Sequence, residues 1–398
     1  MKKEDPISRR IQELNERYDF LREHDWYYYL MCSDKLLGSK VRINGREMLM
    51  LASYSYLDLI GHPRIVGAAK AAIDEFSTGT HGVRLLAGST RLHEELEDRI
   101  ARFKGRSAAV TFSSGYVTNL SVISTLCGHT DVVLSDRLNH ASIVDGCRLS
   151  GAKFVRFRHN DMDDLKRKLE EAPPEAGKLV VVDAVFSMDG DVTKLPALRE
   201  LCDRYRAWLM VDEAHSLGVL GPTGHGIEEH FKMPGSIDIC MGTLSKAIPS
   251  VGGYVAGDFE LVTFLKHVSR AFIFSAALPP PAAAAAKEAF DVIEAEPQRV
   301  KRLQENTLHF IRKLNGNGFC TLASETPIVP IICGSAENAC EMARLSQKEG
   351  IFVLPVISPA VPDGACRLRA CVTAAHSIEQ IDWAVDVFVQ AARKAKLL

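Results

Sequence analysis

In this chain of 398 residues, Gly242-Thr243-Leu244-Ser245-Lys246 follows an apolar, strand-like run (Ile237, Ile239, Met241). Val211-Asp212-Glu213-Ala214-His215 lies shortly upstream. A lysine amine beyond a buried strand can form a Schiff base with an aldehyde. A carboxylate ending a neighbouring strand can keep a pyridine nitrogen protonated, which makes the ring an electron sink. Hydroxyls and backbone amides near the lysine, here with Thr243 and Ser245, can hold a phosphate. An aspartate with a histidine three residues on, followed by a serine–lysine pair, therefore points to a pyridoxal 5'-phosphate (PLP) site. Such a lysine must be partly desolvated for its free amine to be populated near neutral pH.

The letters Asp-Glu-Ala-His also occur as the metal-binding acid of nucleoside triphosphatases. That reading requires an upstream Gly-x-x-x-x-Gly-Lys-Ser/Thr loop. The chain has none: Gly177-Lys178 is followed by Leu179, and Gly38-Ser39-Lys40 has the wrong order. A strand-end acid that only caps a helix is the plain alternative for Asp212. Ser113-Ser114-Gly115-Tyr116 follows a strand and opens a helix, where glycine permits close backbone approach and the helix start favours an anion. Gly-containing turns of this kind are common without a ligand. In Asp136-Arg137-Leu138-Asn139-His140 the imidazole can lie on a pyridine ring; a lone histidine at such a place is more often structural, and Asn139 or Asp136 can simply cap the helix. His62, His93 and His376 are read as structural. Arg367 and Arg369 alternate onto one face of a short strand. An arginine fork there matches a carboxylate, although exposed strand arginines are ordinary.

The elements that must position these groups follow from periodicity. Residues 7–30 read as a helix, with Ile11, Leu14, Tyr18 and Leu21 at helical spacing. A hairpin follows, Lys40–Ile43 and Met48–Leu51, turned by Asn44-Gly45. From 62 to 278 helices (64–76, 91–104, 117–127, 139–150, 161–171, 196–206) alternate with short strands (Ala108–Phe112, Val132–Ser135, Phe154–Phe157, Leu179–Asp183, Trp208–Val211, Ile237–Met241, Tyr254–Ala256). Several strands are apolar throughout, as strands covered on both faces are. The class is α/β, a mainly parallel central sheet flanked by helices. Ligands in such sheets bind beyond the carboxyl ends of the strands, where Asp212, His215 and Lys246 fall. Pro279-Pro280-Pro281 opens an Ala-rich helix and marks the passage to a smaller α+β part with helices 298–315, 336–349 and 377–395 and strands Ile328–Cys333 and Arg367–Val372. Ser377 with Gln380 forms a capping-box pattern. The expected division is an N-terminal arm (1–50) packed on the main body or a second subunit, a large domain (51–278) and a C-terminal domain (279–398).

The net charge of −2 and the scattered Lys and Arg predict no nucleic-acid footprint. Ten cysteines without a Cys-x-x-Cys pair fit buried thiols in a reducing compartment. The charged start, Met1 to Pro6, argues against a secretory signal, and no apolar stretch reaches a membrane span. A cytoplasmic protein without membrane insertion is the expectation.

Seven segments taken together resemble the α-oxoamine synthases, a PLP-dependent family of the fold-type I aminotransferase superfamily. They are Phe-Ser-Ser-Gly-Tyr (112–116), Asp-Arg-Leu-Asn-His-Ala-Ser (136–142), Phe-Ser-Met-Asp-Gly-Asp (186–191), Val-Asp-Glu-Ala-His (211–215), Gly-Thr-Leu-Ser-Lys (242–246), Phe-Ser-Ala-Ala-Leu-Pro-Pro (274–280) and Leu-Arg-Ala-Cys-Val-Thr-Ala-Ala-His (368–376). The resemblance implies a fold-type I transferase and roles at matching positions. Lys246 resembles the Schiff-base lysine and α-proton base, Asp212 the pyridine-nitrogen partner, His140 the ring-stacking histidine. His215 and Ser187 resemble partners of the phenolic oxygen. Ser114, Gly115, Tyr116, Thr243 and Ser245 lie where the family holds the phosphate, and Ser275 matches a hydroxyl lent across a dimer interface. Arg369 matches the grip on the amino-acid carboxylate, with Tyr54 and Ser55 beside the substrate. A homodimer with shared sites is implied. The implied reaction is a decarboxylative condensation of a small amino acid (alanine, serine or glycine) with an acyl thioester, carried by coenzyme A or a carrier protein. Other fold-type I activities (aminotransferase, aldolase-like lyase) stay open, as does a non-catalytic partner subunit, against which Lys246 itself argues. Three departures bear on substrate: Pro249 after the lysine, Ala276 and Ala277 in place of hydroxyl residues, and Ser55 in place of an asparagine.

Overall fold

The computed structural model describes residues 5–398; Met1 to Glu4, part of the charged start, lie outside the described residues. Its centre is a seven-stranded sheet. In chain order its strands are β4 (Ala108–Phe112), β5 (Val132–Asp136), β6 (Lys153–Phe157), β7 (Lys178–Asp183), β8 (Trp208–Asp212), β9 (Ile239–Ser245) and β10 (Pro249–Gly257). Their spatial order is β4-β10-β9-β8-β7-β5-β6. Strand β10 runs antiparallel to both neighbours, and the other adjacent pairs are parallel. Apolar side chains of the sheet feed two cores, one on each face: Val180, Val182, Leu209 and Val211 in one, Val133, Leu179, Val181 and Met210 in the other. Burial on both faces is why these strands lack a polar/apolar alternation.

Helices α2 (Pro63–Phe76) and α3 (Arg91–Phe103) precede the sheet's first strand, and α4 (Gly115–Leu126), α5 (Ala141–Ser150), α6 (Met162–Glu170) and α7 (Leu195–Tyr205) connect its successive strands, each within about two residues of its expected span. Helices α8 (Ile227–Phe231), α9 (Phe259–Val268) and α10 (Arg270–Ile273) complete this part. Ser114 caps α4 by accepting from the amide of Val117, and His140 is itself the cap of α5, its ring accepting from the amide of Ser142. The Ala-rich helix α11 (Pro280–Ala295) buries Ala283, Ala286, Ala289 and Phe290 in the same core as the large sheet and packs on α2 and α3.

Helices α12 (Gln298–Gly316), α13 (Ala336–Lys348) and α14 (Ile378–Lys394) pack around a three-stranded sheet of β11 (Ile328–Gly334), β14 (Cys366–Cys371) and β13 (Leu354–Val356). The capping box at Ser377 and Gln380 is formed.

The N-terminal segment differs from expectation. Helix α1 (Pro6–Glu23) stops seven residues short of residue 30, and Asp25 and Leu30 take left-handed backbone conformations just beyond it. Of its apolar residues only Leu21 is buried; Ile11 and Leu14 face outward. The hairpin β2 (Lys40–Ile43) and β3 (Arg46–Met50) forms about Asn44 and Gly45, both at positive φ. An unexpected strand β1 (Ser33–Leu37) pairs with β2, and the two-residue β12 (Ile351–Phe352) pairs parallel with β3. The hairpin is thereby tied to the C-terminal part, with Leu49 and Leu51 in that core. All ten cysteines are free. No helix among the described residues is long and apolar enough to cross a membrane.

Candidate active site

Parallel pairing aligns the carboxyl ends of the central strands. Asp183 of β7 sits opposite Asp212 of β8, and Asp212 opposite Met241 of β9. Beyond this edge lies a cavity of about 250 Å³. Ten of the residues singled out in sequence line it: Ser114, Gly115, Tyr116, His140, Ser187, Asp212, His215, Thr243, Ser245 and Lys246. A second cavity of about 530 Å³ opens on the other side of Lys246 and Ser245, with Tyr54 and Ser55 in its wall. Ser275 lies elsewhere, in a narrow crevice with Thr111 and Phe112.

The lysine amine is held at 2.9 Å from His215 Nε2, and His215 Nδ1 is 2.7 Å from the hydroxyl of Tyr56. Burial of Lys246 disfavours its charged form; Asp212 and Asp183 oppose that effect and Arg369 reinforces it, and the pKa falls to about 8. Burial, followed by the positive charges of Lys246 and Arg369, holds His215 well below the ordinary imidazole value, so this ring is neutral. Asp212 accepts from Asn119 Nδ2 at 2.7 Å and from the amide of Ala214 at 2.8 Å. Asp183 accepts from the amide of His140 at 2.8 Å. Its pKa is pushed well up, by burial first and by the neighbouring Asp212 second. His140 is an exposed residue in the single chain, yet desolvation of its ring lowers its pKa.

Arg369 is buried, donates from Nε to the carbonyl of Ser187 at 2.6 Å and packs over the ring of Tyr54 at 4.8 Å. Among the described residues its Nη2 has no partner, nor does the buried hydroxyl of Ser55. Arg367, on the same face, pairs instead with Asp189 and the carbonyl of Met188.

These residues fit PLP. A Cβ placed on Gly115 would lie 3.0 Å from Thr243 Oγ1 and 3.1 Å from Thr243 Cβ, so a side chain here would require Thr243 to give way, and glycine leaves bare backbone at the start of α4, where helix amides suit a phosphate. Thr243 and Ser245 hydroxyls, 2.9 Å apart, stand beside it. A buried carboxylate and a half-desolvated amine complete the set.

Sequence reasoning missed Tyr56, Asn119 and Asp183. Asp183 ends a strand that was read correctly, and Tyr56 adjoins Tyr54; neither belongs to a spacing motif. Their roles emerge only from the pairing of β7 with β8 and from the chain's return over the cavity. His62, His93 and His376 are structural as read: they meet Glu296 (3.1 Å), the carbonyl of Leu278 (2.8 Å) and the amide of Thr373 (2.9 Å).

The aminotransferase class I and II family profile matches residues 46–388. An 8-amino-7-oxononanoate synthase of Thermoanaerobacter pseudethanolicus is 42% identical over 386 residues, which is 97% of this chain and 98% of that protein. A serine palmitoyltransferase of Sphingobacterium spiritivorum is 40% identical over 391 residues, 98% of each. Among solved structures, the Sphingomonas wittichii serine palmitoyltransferase matches with a TM-score of 0.95 at 34% identity, covering 99% of this chain and 100% of that one. With this fold and this cavity, the chain belongs to the aminotransferase class I and II family and, within it, to the PLP-dependent α-oxoamine synthases.

Proposed function

We propose that this enzyme condenses a small amino acid with an acyl thioester, releasing CO₂ and free thiol and leaving an α-amino ketone. The carrying observation is the buried amine of Lys246, at about pKa 8, set between a polar cavity ending on Asp212 and a second, apolar cavity. When bound, PLP supplies a carbonyl that condenses with amines and a ring that withdraws electrons. Lys246 would carry it covalently, and the α4 start with Thr243 and Ser245 would hold its phosphate. Asp212, fixed in place by Asn119 and the amide of Ala214, would keep a proton on the ring nitrogen.

The free Nη2 of Arg369 takes the carboxylate of the amino acid, with the Ser55 hydroxyl as a further partner. Lys246 Nζ, freed once the amino group of the substrate takes its place on the cofactor, would be partly neutral at physiological pH and would take the α-proton. His215, neutral and anchored by Tyr56, orients that amine through Nε2. His140 and Ser187 line the same cavity and would border the cofactor's ring and its oxygen substituent. Water exclusion matters because a stray proton would quench the activated α-carbon.

The working form is a homodimer. Val83 bridges to Ala276 and Ala277 bonds to Gly82, so two loops join and present the exposed Leu86 and Phe274 beside Ser275. An apolar patch of this kind fits a second copy, which would bring Ser275 toward the partner's phosphate.

The test is a matrix of glycine, alanine and serine against acyl thioesters, scored by thiol release. Lys246→Ala should bind PLP without a covalent link and show no turnover. PLP binding without thiol release from any pair would reject the condensation.

A further inference from the structure

We propose that the apolar cavity beside Lys246 receives the acyl chain of the thioester and selects chains ending in a methyl group over chains ending in a carboxylate. This rests on the condensation reading and names the substrate class within it.

The cavity, about 530 Å³, lies in the range of small-molecule pockets. Leu59 and Ile65 form its buried wall, with Ala69 of α2 and Ala285 of α11. Ile60 and Val66 are partly exposed at its rim, which leaves an opening for a bulky thiol carrier. The acyl carbonyl then lies at the Lys246 end, where the condensation occurs, and the chain's far end lies among aliphatic side chains.

The polar groups in the wall are committed or uncharged. Ser250 donates to the carbonyl of Ala282 at 2.7 Å, and Ser53 accepts from the amide of Ser55 at 3.0 Å. Pro249 contributes ring carbons and no N–H, so its departure from the family pattern adds apolar surface here. Among the described residues Lys246 is the sole cation in the lining, and the chemistry occupies it. Arg64, nearby on α2, is engaged by Glu288 at 2.7 Å. A terminal carboxylate would therefore be buried without a counter-charge, whereas each methylene gains from leaving water.

The experiment uses the PLP-loaded enzyme with its preferred amino acid. Straight-chain acyl-CoA thioesters of increasing length are compared with ω-carboxyl thioesters of equal length, by kcat/KM for thiol release. In parallel, titration calorimetry follows binding of unreactive thioether analogues. Expected are a rise of about fourfold per methylene until the cavity is full and an ω-carboxyl penalty on the order of 100-fold or more. Val66→Trp should move the optimum to shorter chains, and Val66→Arg should narrow the ω-carboxyl penalty. Thiol release with no chain-length dependence, or an ω-carboxyl substrate within tenfold of its methyl-ended counterpart, overturns the assignment while leaving the condensation standing. No thiol release from any thioester refutes the condensation and this proposal with it.

Discussion

Lys246 should make the cofactor-free protein less stable, by an amount set by pH. Its ammonium is at home in the unfolded chain, with the ordinary lysine value of 10.5, and poorly solvated in the fold, where the pKa is about 8. Between those values the unfolded chain binds more protons, so stability rises with pH across the window. Below about pH 8 both states are charged and the folded one bears the full penalty. Replacing Lys246 by methionine removes the charge and keeps the side-chain length. The apoprotein of Lys246→Met should then exceed wild type by roughly 3 kcal/mol at pH 7, roughly 2 at pH 9 and about 1 or less at pH 10. Denaturant unfolding of both proteins at matched protomer concentration measures the difference. Competitive acetylation of the apoprotein, mapped by mass spectrometry, should give Lys246 a reactivity midpoint near pH 8. A gap that does not change with pH, or a labelling midpoint near 10.5, would refute a desolvated amine.

Three further outcomes follow from neighbouring contacts. Tyr56→Phe strips His215 Nδ1 of its 2.7 Å partner. A penalty of about 1–3 kcal/mol on the aligned ring should lower kcat about 5- to 150-fold with little change in the amino-acid KM, read by steady-state kinetics. Gly115→Ala drives a methyl against Thr243 at 3.0–3.1 Å, and equilibrium dialysis should show PLP affinity falling roughly tenfold or more. His159 bridges Asp136 (3.0 Å) and Asp191 (2.9 Å); burial opposes its charge, but the two carboxylates prevail and raise its pKa to about 9. The stability it contributes is full below about pH 6.5 and lost as pH rises through 9, so His159→Asn should destabilise strongly at pH 6 and little at pH 10, seen by thermal unfolding.

The alternating elements from 62 to 278 were legible because the inner strands are buried on both faces, the edge strand β6 being the exception, and the helices carry a local cap or an apolar stripe. The residues Lys246, Asp212 and His215 were legible because their chemistry needs particular side chains at strand ends. What sequence could not show is non-local. Asp183 enters the site through its register with Asp212, and Tyr56 through a segment 159 residues from its partner His215. Helix α1 was overextended because the apolar spacing of residues 7–30 continues past the left-handed turn at Asp25, and only packing distinguishes a buried stripe from an exposed one. Strand β1 has the sequence Ser-Asp-Lys-Leu-Leu, with no strict alternation, and forms because β2 offers an edge.

The Asp-Glu-Ala-His letters, ambiguous as a string, are resolved by direction. Asp212 ends β8 facing the cavity, and the amide of Ala214 turns back to bind its carboxylate. His215 comes round to meet Lys246. Glu213 points the other way, into the protein, where Lys104 lies 2.5 Å from its carboxylate and Cys240 donates to it at 2.8 Å. Two acids adjacent in sequence are thus kept in separate electrostatic environments. Glu213 is ionised and neutralised by a buried ammonium, which lowers its pKa against the pull of burial. Asp212 faces a cavity whose other carboxylate, Asp183, burial and the Asp212 charge itself hold toward the protonated form. The carboxylate that a protonated pyridine nitrogen requires therefore stands at the strand edge opposite the amine, apart from the buried Glu213–Lys104 pair.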